Sequence, residues 1–304
     1  DIADRFSETT RKTVPTGWDS VDQLMDGGLG PGELGVFVAP AGIGKSWGLV
    51  NAAANAVKAG LTVIHYTLEL NGAYVGLRFD SVFTGIAAQN LKFYQDDIKK
   101  RVDELDGDLV IKYFPTKTAT VHTLKAHLDR CTMLGKKPDL VVVDYADLLR
   151  GTGKEIRHEL GNIYEDLRGM AGEYELPIWT ASQANRSALE DDVIGAEKIA
   201  ESYSKIMTAD FVISLSRKIE DKIAGTGRFH VIKNRFGPDG ITFPSKMNMS
   251  TGQIDIFDQT SVQGKSTQGQ MDQGTEAMRK RLATKYNEVT PAPEKSKDPF
   301  ENLQ

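Results

Sequence analysis

The segment Ala39-Pro40-Ala41-Gly42-Ile43-Gly44-Lys45-Ser46 has the residue types and spacing of a phosphate cradle. Its glycines let the backbone curl so that N–H groups converge on an anion at the start of a helix. Lys45 adds a point charge at the β- and γ-phosphates of a nucleotide, and the Ser46 hydroxyl is a ligand for Mg²⁺. The flanks fit: the apolar run 35–39 predicts a strand before it, and residues 47–58 predict a helix after it. The strict pattern has glycine where this chain has Ala39, a position that a small residue with negative φ also serves. Pro40, Ala41, Gly42, Ile43, Gly44, Lys45, Ser46 and Trp47 are therefore the candidate nucleotide contacts, with ATP and Mg²⁺ as expected cofactors. A second Gly264-Lys265-Ser266 has no strand before it and Gln259 at the first motif position, so it predicts no site.

Hydrolysis needs companions. Leu140-Val141-Val142-Val143-Asp144 reads as an apolar strand delivering a carboxylate at its end. Burying an aspartate there is costly unless it meets a cation or several donors, which the Mg²⁺ shell supplies; capping of the next turn is the plainer alternative. Glu69 ends another apolar strand and is placed to orient an attacking water, though strand-end glutamates are commonly just solvated. Gln183 and Arg186 follow the run 176–182, at the strand ends where ligands bind in open α/β sheets. Gln183 could report on a γ-phosphate or serve only as a loop amide.

These groups need a frame that brings strand ends together. Short apolar runs at 35–39, 61–68, 109–114, 140–145, 176–182, 211–216 and 229–234 alternate with helix-period segments. That order predicts an α/β fold with a mostly parallel sheet flanked by helices. Leu160, Ile163, Leu167, Met170 and Ala171 keep a helical period, and Val121, Leu124, Leu128 and Cys131 share one helical face. Residues 1–14 read as a polar linker or arm and 15–258 as the α/β core. Residues 259–304, rich in Gln, Gly, Ser, Thr and Lys, read as a flexible tail in which 276–286 could form a short helix against a partner. The chain opens on Asp1 rather than methionine, which leaves room for a preceding portion.

The 304-residue chain is 40% hydrophobic and 26% charged, ordinary values for a globular protein. Its one cysteine, Cys131, rules out an internal disulfide and a thiolate metal cluster. His65, His122, His127, His158 and His230 show no paired ligand spacing, so no zinc site is expected. No apolar run approaches the ~20 residues of a membrane helix, and no membrane contact is expected. The net charge of −5 argues against a uniformly basic coat but leaves room for a local basic channel.

Several short motifs together resemble one family. Pro15-Thr16-Gly17-Trp18-Asp19-Ser20-Val21-Asp22, with Gly27-Gly28-Leu29 and Gly32-Glu33-Leu34, is similar to the entry of RecA-superfamily motor domains. Thr67-Leu68-Glu69-Leu70, Asp144-Tyr145-Ala146-Asp147-Leu148, Ser182-Gln183-Ala184-Asn185-Arg186 and Lys233-Asn234-Arg235-Phe236-Gly237-Pro238-Asp239-Gly240 resemble successive motifs of DnaB-family hexameric replicative helicases. The style is most similar to T-even-type phage members. The resemblance covers roughly residues 15–257 and implies a RecA-like P-loop NTPase core with a C-terminal β-hairpin. It implies that Lys45, Ser46, Asp144 and Glu69 form the catalytic set within one subunit, that Gln183 senses the γ-phosphate, and that Lys233 and Arg235 act on the nucleotide of a neighbouring subunit. Without it, Lys233 and Arg235 would read as a solvated hairpin tip.

The same resemblance implies two loops lining a central channel. Arg150, Gly151, Lys154 and Arg157 follow the Asp144 motif in a glycine-loosened basic stretch, and Lys198 and Lys205 lie in a second candidate at 197–205. Contact through lysine, arginine and backbone N–H suits movement over any sequence of single-stranded DNA. An ordinary basic surface loop is the alternative. The expected assembly is a homo-oligomeric, hexameric ring that unwinds DNA 5′→3′, with primase and a helicase loader as possible partners, in the cytoplasm of a phage-infected bacterial host. A RecA-like recombinase, a clock-type signalling ATPase, and a nucleotide-dependent assembly subunit with little turnover are the competing functions.

Overall fold

The computed structural model describes residues 11–151, 156–199 and 204–289. Nine strands form one sheet in the order β3-β2-β4-β5-β1-β6-β7-β8-β9. They are β1 (Leu34–Ala39), β2 (Val63–Thr67), β3 (Leu109–Tyr113), β4 (Leu140–Asp144), β5 (Ile178–Gln183), β6 (Phe211–Ser216), β7 (Thr226–Asn234), β8 (Thr242–Met247) and β9 (Ile254–Ile256). The first six in that order run parallel, and β7, β8 and β9 add on antiparallel, with β7 and β8 forming the expected hairpin. β1, β2, β4 and β6 are buried at every residue, as strands covered on both faces must be.

Helices α1 (Asp19–Leu24), α2 (Lys45–Lys58), α3 (Gly72–Thr84), α4 (Gln95–Asp103), α5 (Val121–Met133), α6 (Ile156–Tyr174), α7 (Ser204–Thr208), α8 (Ile219–Ala224) and α9 (Val262–Val289) complete the fold. Alternation along β1 divides the core. Phe37 and Ala39 join Leu49, Ala53 and Val57 of α2 on one face, while Leu34, Val36 and Val38 join Leu124, Leu128, Ile163 and Leu167 of α5 and α6 on the other. Gly35 is required: a Cβ there would lie 2.5 Å from the Trp179 ring, which packs 4.7 Å from Phe37 between ring centres. The face Val121, Leu124, Leu128 and Cys131 of α5 is buried as its period predicts. No helix of the described residues is long and apolar enough to cross a membrane.

Two boundaries differ from the sequence reading. Within the stretch assigned to an N-terminal arm, Arg11 donates to the carbonyls of Met25 and Gly28 and pairs with Glu33, and Val14 is bonded to Leu29 and buried. The folded body therefore includes residues 11–14. At the other end, residues 262–289 of the expected flexible tail form α9, which contains the second Gly-Lys-Ser. Gly264, Thr267 and Met271, spaced by three and four, are its buried stripe, and Thr275 reaches Glu220 of α8. A docked face this narrow and poor in large apolar residues hides inside a polar composition.

His65 in the middle of β2 is fully buried, edge-on to Phe79, and neither ring nitrogen has a hydrogen-bond partner among the described residues. Burial, with Arg78 nearby, lowers its pKa from 6.5 to about 3. The unfolded chain takes up a proton that the folded chain refuses, so this group costs stability between those two pH values and nothing above them. Urea unfolding is expected to show stability falling below pH 6.5, with a contribution approaching about 1.4 kcal/mol per pH unit, and His65→Leu is expected to flatten that slope.

Candidate active site

All six parallel strands open their carboxyl ends on one edge, and Lys45, Ser46, Glu69, Asp144 and Gln183 lie there. The loop 40–44 joins β1 to α2, with Gly42 and Gly44 at φ of 74° and 125°. Both are left-handed backbone positions that glycine adopts without strain, and a Cβ on Gly44 would meet only the flexible end of Met247, so backbone geometry is what calls for glycine. Lys45 opens α2 with its ammonium 3.9 Å from the Tyr145 ring centre and 3.7 Å from the exposed Glu69 carboxylate. Registration of β2 against β4 sets Thr67 opposite Asp144, which brings Glu69, two residues on, to the same edge.

Asp144 is 2% exposed and accepts a 3.1 Å hydrogen bond from Ser46 Oγ. Burial pushes its pKa up; the Lys45 charge and the Ser46 hydroxyl oppose that, followed by Arg78, while Glu69 adds to it. The carboxylate is therefore held in charged-group surroundings that do not fully replace water. A bound divalent cation would relieve it. Asp144 and Ser46 offer two hard oxygen donors side by side, the donor set that Mg²⁺ takes from protein while keeping its other positions for phosphate and water. Among the described residues no group of three or more His, Cys, Asp or Glu offers a rival metal site.

The cleft is lined further by Trp47, Arg78, Arg217, Met247 and Met249. Arg78 stacks over Trp47 at 4.9 Å, and burial lowers its pKa while Asp144 and Glu69 hold it up. Arg217 is 2% exposed; its Nε donates to the Thr226 carbonyl, and its Nη2 has no partner among the described residues. An orphaned guanidinium nitrogen beside a phosphate loop fits an anionic or acceptor-rich ligand. Neither arginine was a sequence candidate. Arg217 follows β6 at its carboxyl end, as Gln183 ends β5, and that position is the signal that points to it. Arg78 carries no such signal, because its place comes from the packing of α3.

Gln183 lies opposite Ala39 in the β1–β5 register, beside the start of the phosphate loop, and its N–H reaches Asp147 at 3.4 Å. Lys233 and Arg235 are elsewhere. Asn234 pairs with Phe211, and Phe211 with Gly35, so both cations sit at the amino edge of the parallel strands. The six residues of β1 separate them from their own phosphate loop by about 20 Å. A bulge at Ile232 turns Lys233 toward α7, where its ammonium donates to the carbonyls of Ile206 and Met207. Arg235, 61% exposed in its side chain, pairs with Asp210 at 2.9 Å.

The candidate channel residues divide. Arg150 is exposed, and the Gly151 N–H donates to Glu159. Lys154 lies outside the described residues, and Arg157 is described only as backbone in the first turn of α6. Lys198 is half-buried and paired with Asp191 at 3.2 Å. Lys205 is a correction. It is 2% exposed, with its ammonium 2.9 Å from Asp147 and 3.2 Å from Ser182, so it does not face a channel. Half-buried Asp147, just after β4, claims the lysine, a tertiary pairing that no local pattern announces.

Fold and site together define a RecA-like P-loop domain. The chain belongs to the DnaB-like helicase C terminal domain family, whose model matches residues 13–249. It is 26% identical over 242 residues to the DnaB-like replicative helicase of Enterobacteria phage T4, covering 74% of this chain and 50% of that protein. It is 30% identical over 217 residues to the replicative DNA helicase DnaB of Geobacillus stearothermophilus, covering 67% of this chain and 47% of that protein. The chain thus spans about half the length of these relatives. Among solved structures, the ATPase domain of G40P superposes with a TM-score of 0.72 at 18% identity, covering 84% of this chain and 96% of that one. The RadB recombinase superposes with a TM-score of 0.56 at 15% identity, over 81% and 100% of the two chains.

A carboxylate whose burial is incompletely compensated weakens the fold that carries it. Asp144→Asn is expected to raise stability, on the order of 1 kcal/mol in chemical unfolding, while abolishing Mg²⁺-dependent nucleotide binding measured by calorimetry. A variant that loses stability and keeps Mg²⁺-dependent binding would contradict the assignment.

Proposed function

We propose that the chain is the motor of an ATP-dependent DNA helicase that forms a hexameric ring, translocates 5′→3′ on single-stranded DNA and unwinds duplex at a replication fork. One observation carries the assembly: the phosphate loop and the Lys233/Arg235 pair occupy opposite edges of the same sheet, so they meet only between two copies packed head to tail. Such a heterologous interface closes into a ring or runs on as a filament. Family membership and the phage and bacterial relatives favour the ring.

In this reading the N–H groups of residues 41–45 and the Lys45 ammonium hold the β- and γ-phosphates of ATP. Ser46 and Asp144 hold Mg²⁺, which, when bound, neutralises charge on the phosphate oxygens. Glu69 takes a proton from the attacking water, whose oxygen displaces ADP from the γ-phosphorus. Gln183 hydrogen-bonds the γ-phosphate and loses that partner when phosphate departs. The neighbour's Lys233 and Arg235 stabilise the charge that builds up in transfer, a contribution worth ~10³-fold or more in other P-loop enzymes. Arg150 and Gly151, with Lys154, Arg157 and Lys198, supply contacts to the DNA backbone.

A solved relative is described as a DnaB-like replicative helicase with its interactions with primase, and a primase and a loader belong to the proposal as partners, with the host cytoplasm as the location. The superposition on RadB keeps one alternative specific, a recombinase-like filament that exchanges strands without a closed ring.

The test is ATPase rate with and without single-stranded DNA, for the wild type, Glu69→Gln and Arg235→Ala, with particle mass. DNA stimulation of a ring-sized particle is expected, with turnover lost by about 10³-fold in Arg235→Ala at unchanged assembly. Glu69→Gln is expected to bind ATP without turning it over. A rate indifferent to DNA and to Arg235→Ala would reduce the protein to a RecA-like nucleotide switch, and an open-ended mass distribution would favour the filament.

A further inference from the structure

Asp210 stands just before β6 at the amino edge of the sheet, 1% exposed, and its two oxygens take four donors. Oδ2 accepts from the Leu34 N–H at 3.0 Å and from Arg168 Nε at 2.9 Å. Oδ1 accepts from Arg168 Nη2 at 2.8 Å and from Arg235 Nη1 at 2.9 Å. The Arg168 fork is bidentate and comes from α6, on the α5–α6 face of the sheet; Arg235 makes a single bond and projects mostly into solvent. The Arg235 N–H also donates to the Asp210 carbonyl at 2.9 Å, so the guanidinium pivots about a fixed backbone point. Lys233, the other cation nearby, has its ammonium on the Ile206 and Met207 carbonyls.

The consequence is electrostatic. When Arg235 leaves, Asp210 keeps three of its four donors and a full positive counter-charge, so departure costs one partly solvated hydrogen bond. Without Arg168, the same departure would strand a carboxylate out of water with a single backbone donor, and a buried ion left without its partner is among the costliest states in a folded protein. The net lowering of the Asp210 pKa, where bonds from Arg168, Leu34 and Arg235 together outweigh burial, agrees with that division of labour.

We propose that Asp210 parks Arg235 between turnovers and that Arg168, by standing as the permanent counter-ion of Asp210, makes Arg235 releasable to the neighbouring subunit's nucleotide. Arg168 and Asp210 are then positioning residues, at the edge of the sheet opposite their own phosphate loop. The proposal rests on the reading that Arg235 acts between subunits.

The experiment is steady-state ATPase kinetics of the full chain with saturating single-stranded DNA, with thermal unfolding as a folding check. Arg168→Met is expected to hold Arg235 on Asp210 and lower kcat about tenfold or more, with KM for ATP within about twofold, since stranding a buried charge opposes release. Arg168→Lys keeps the charge and is expected to retain most of the rate. The double variant Arg168→Met with Asp210→Asn removes the buried carboxylate together with its half-exposed counter-ion, frees Arg235 and is expected to recover kcat to within about threefold of wild type. A merely structural role for Arg168 would give no such recovery.

Where Arg168→Met does not fold, Asp210→Asn alone decides, with a rate at or above wild type supporting the proposal and a loss like that of Arg235→Ala overturning it. A wild-type kcat in Arg168→Met, or a double variant no faster than the single, overturns the proposal while loss of turnover in Arg235→Ala leaves the helicase reading standing. A wild-type rate in Arg235→Ala removes both.

Discussion

A carboxylate taken out of water at the end of a fully buried strand organises the carboxyl edge of the sheet. Asp144 cannot be left alone there, and each group around it answers that requirement in a different way: Ser46 with a hydrogen bond, Lys45 and Arg78 with charge. The phosphate loop exists in usable form because β1 lies two strands from β4 in a parallel sheet, so that Lys45 and Asp144 emerge on the same side. Parallel pairing imposes this polarity on every strand at once. Glu69 and Arg217 reach the cleft by the same rule, each just past the carboxyl end of its own strand, and Gln183 ends β5 at the same edge.

The opposite edge is held by a second buried carboxylate with a different solution. Asp210 is satisfied by arginines and a backbone N–H from three separate parts of the chain, which ties β1, α6 and the turn after β7 together. Two edges, each built around an aspartate that needs cations, give the domain its functional asymmetry. One edge gathers groups suited to a nucleotide, and the other presents Arg235 outward.

Much of this was legible in the sequence because buried parallel strands write unmistakable apolar runs. Residues 140–143 leave no choice but a central strand, and Asp144 at its end is conspicuous for that reason. The phosphate loop is legible because its glycines are required by backbone geometry and not by packing. What stayed hidden depends on pairings across long sequence distances. Lys205 sits in a stretch that looks solvated, and only the fold delivers it to Asp147 and Ser182. Arg78 belongs to a helix whose pattern says nothing about the cleft it borders. The stripe of α9 is made of Gly264, Thr267 and Met271, which hydropathy scores as unremarkable, so a docked helix passes for a tail.

The separation of the two edges has a consequence for counting. If each complete site takes its phosphate loop from one copy and its Arg235 from the next, a closed ring has as many complete sites as copies, while any open arrangement has one fewer. The copy at one end offers an arginine to nothing, and the copy at the other binds nucleotide without help. A ring that parts one interface to admit a strand of DNA therefore silences one site by geometry alone, and regains it only on closing.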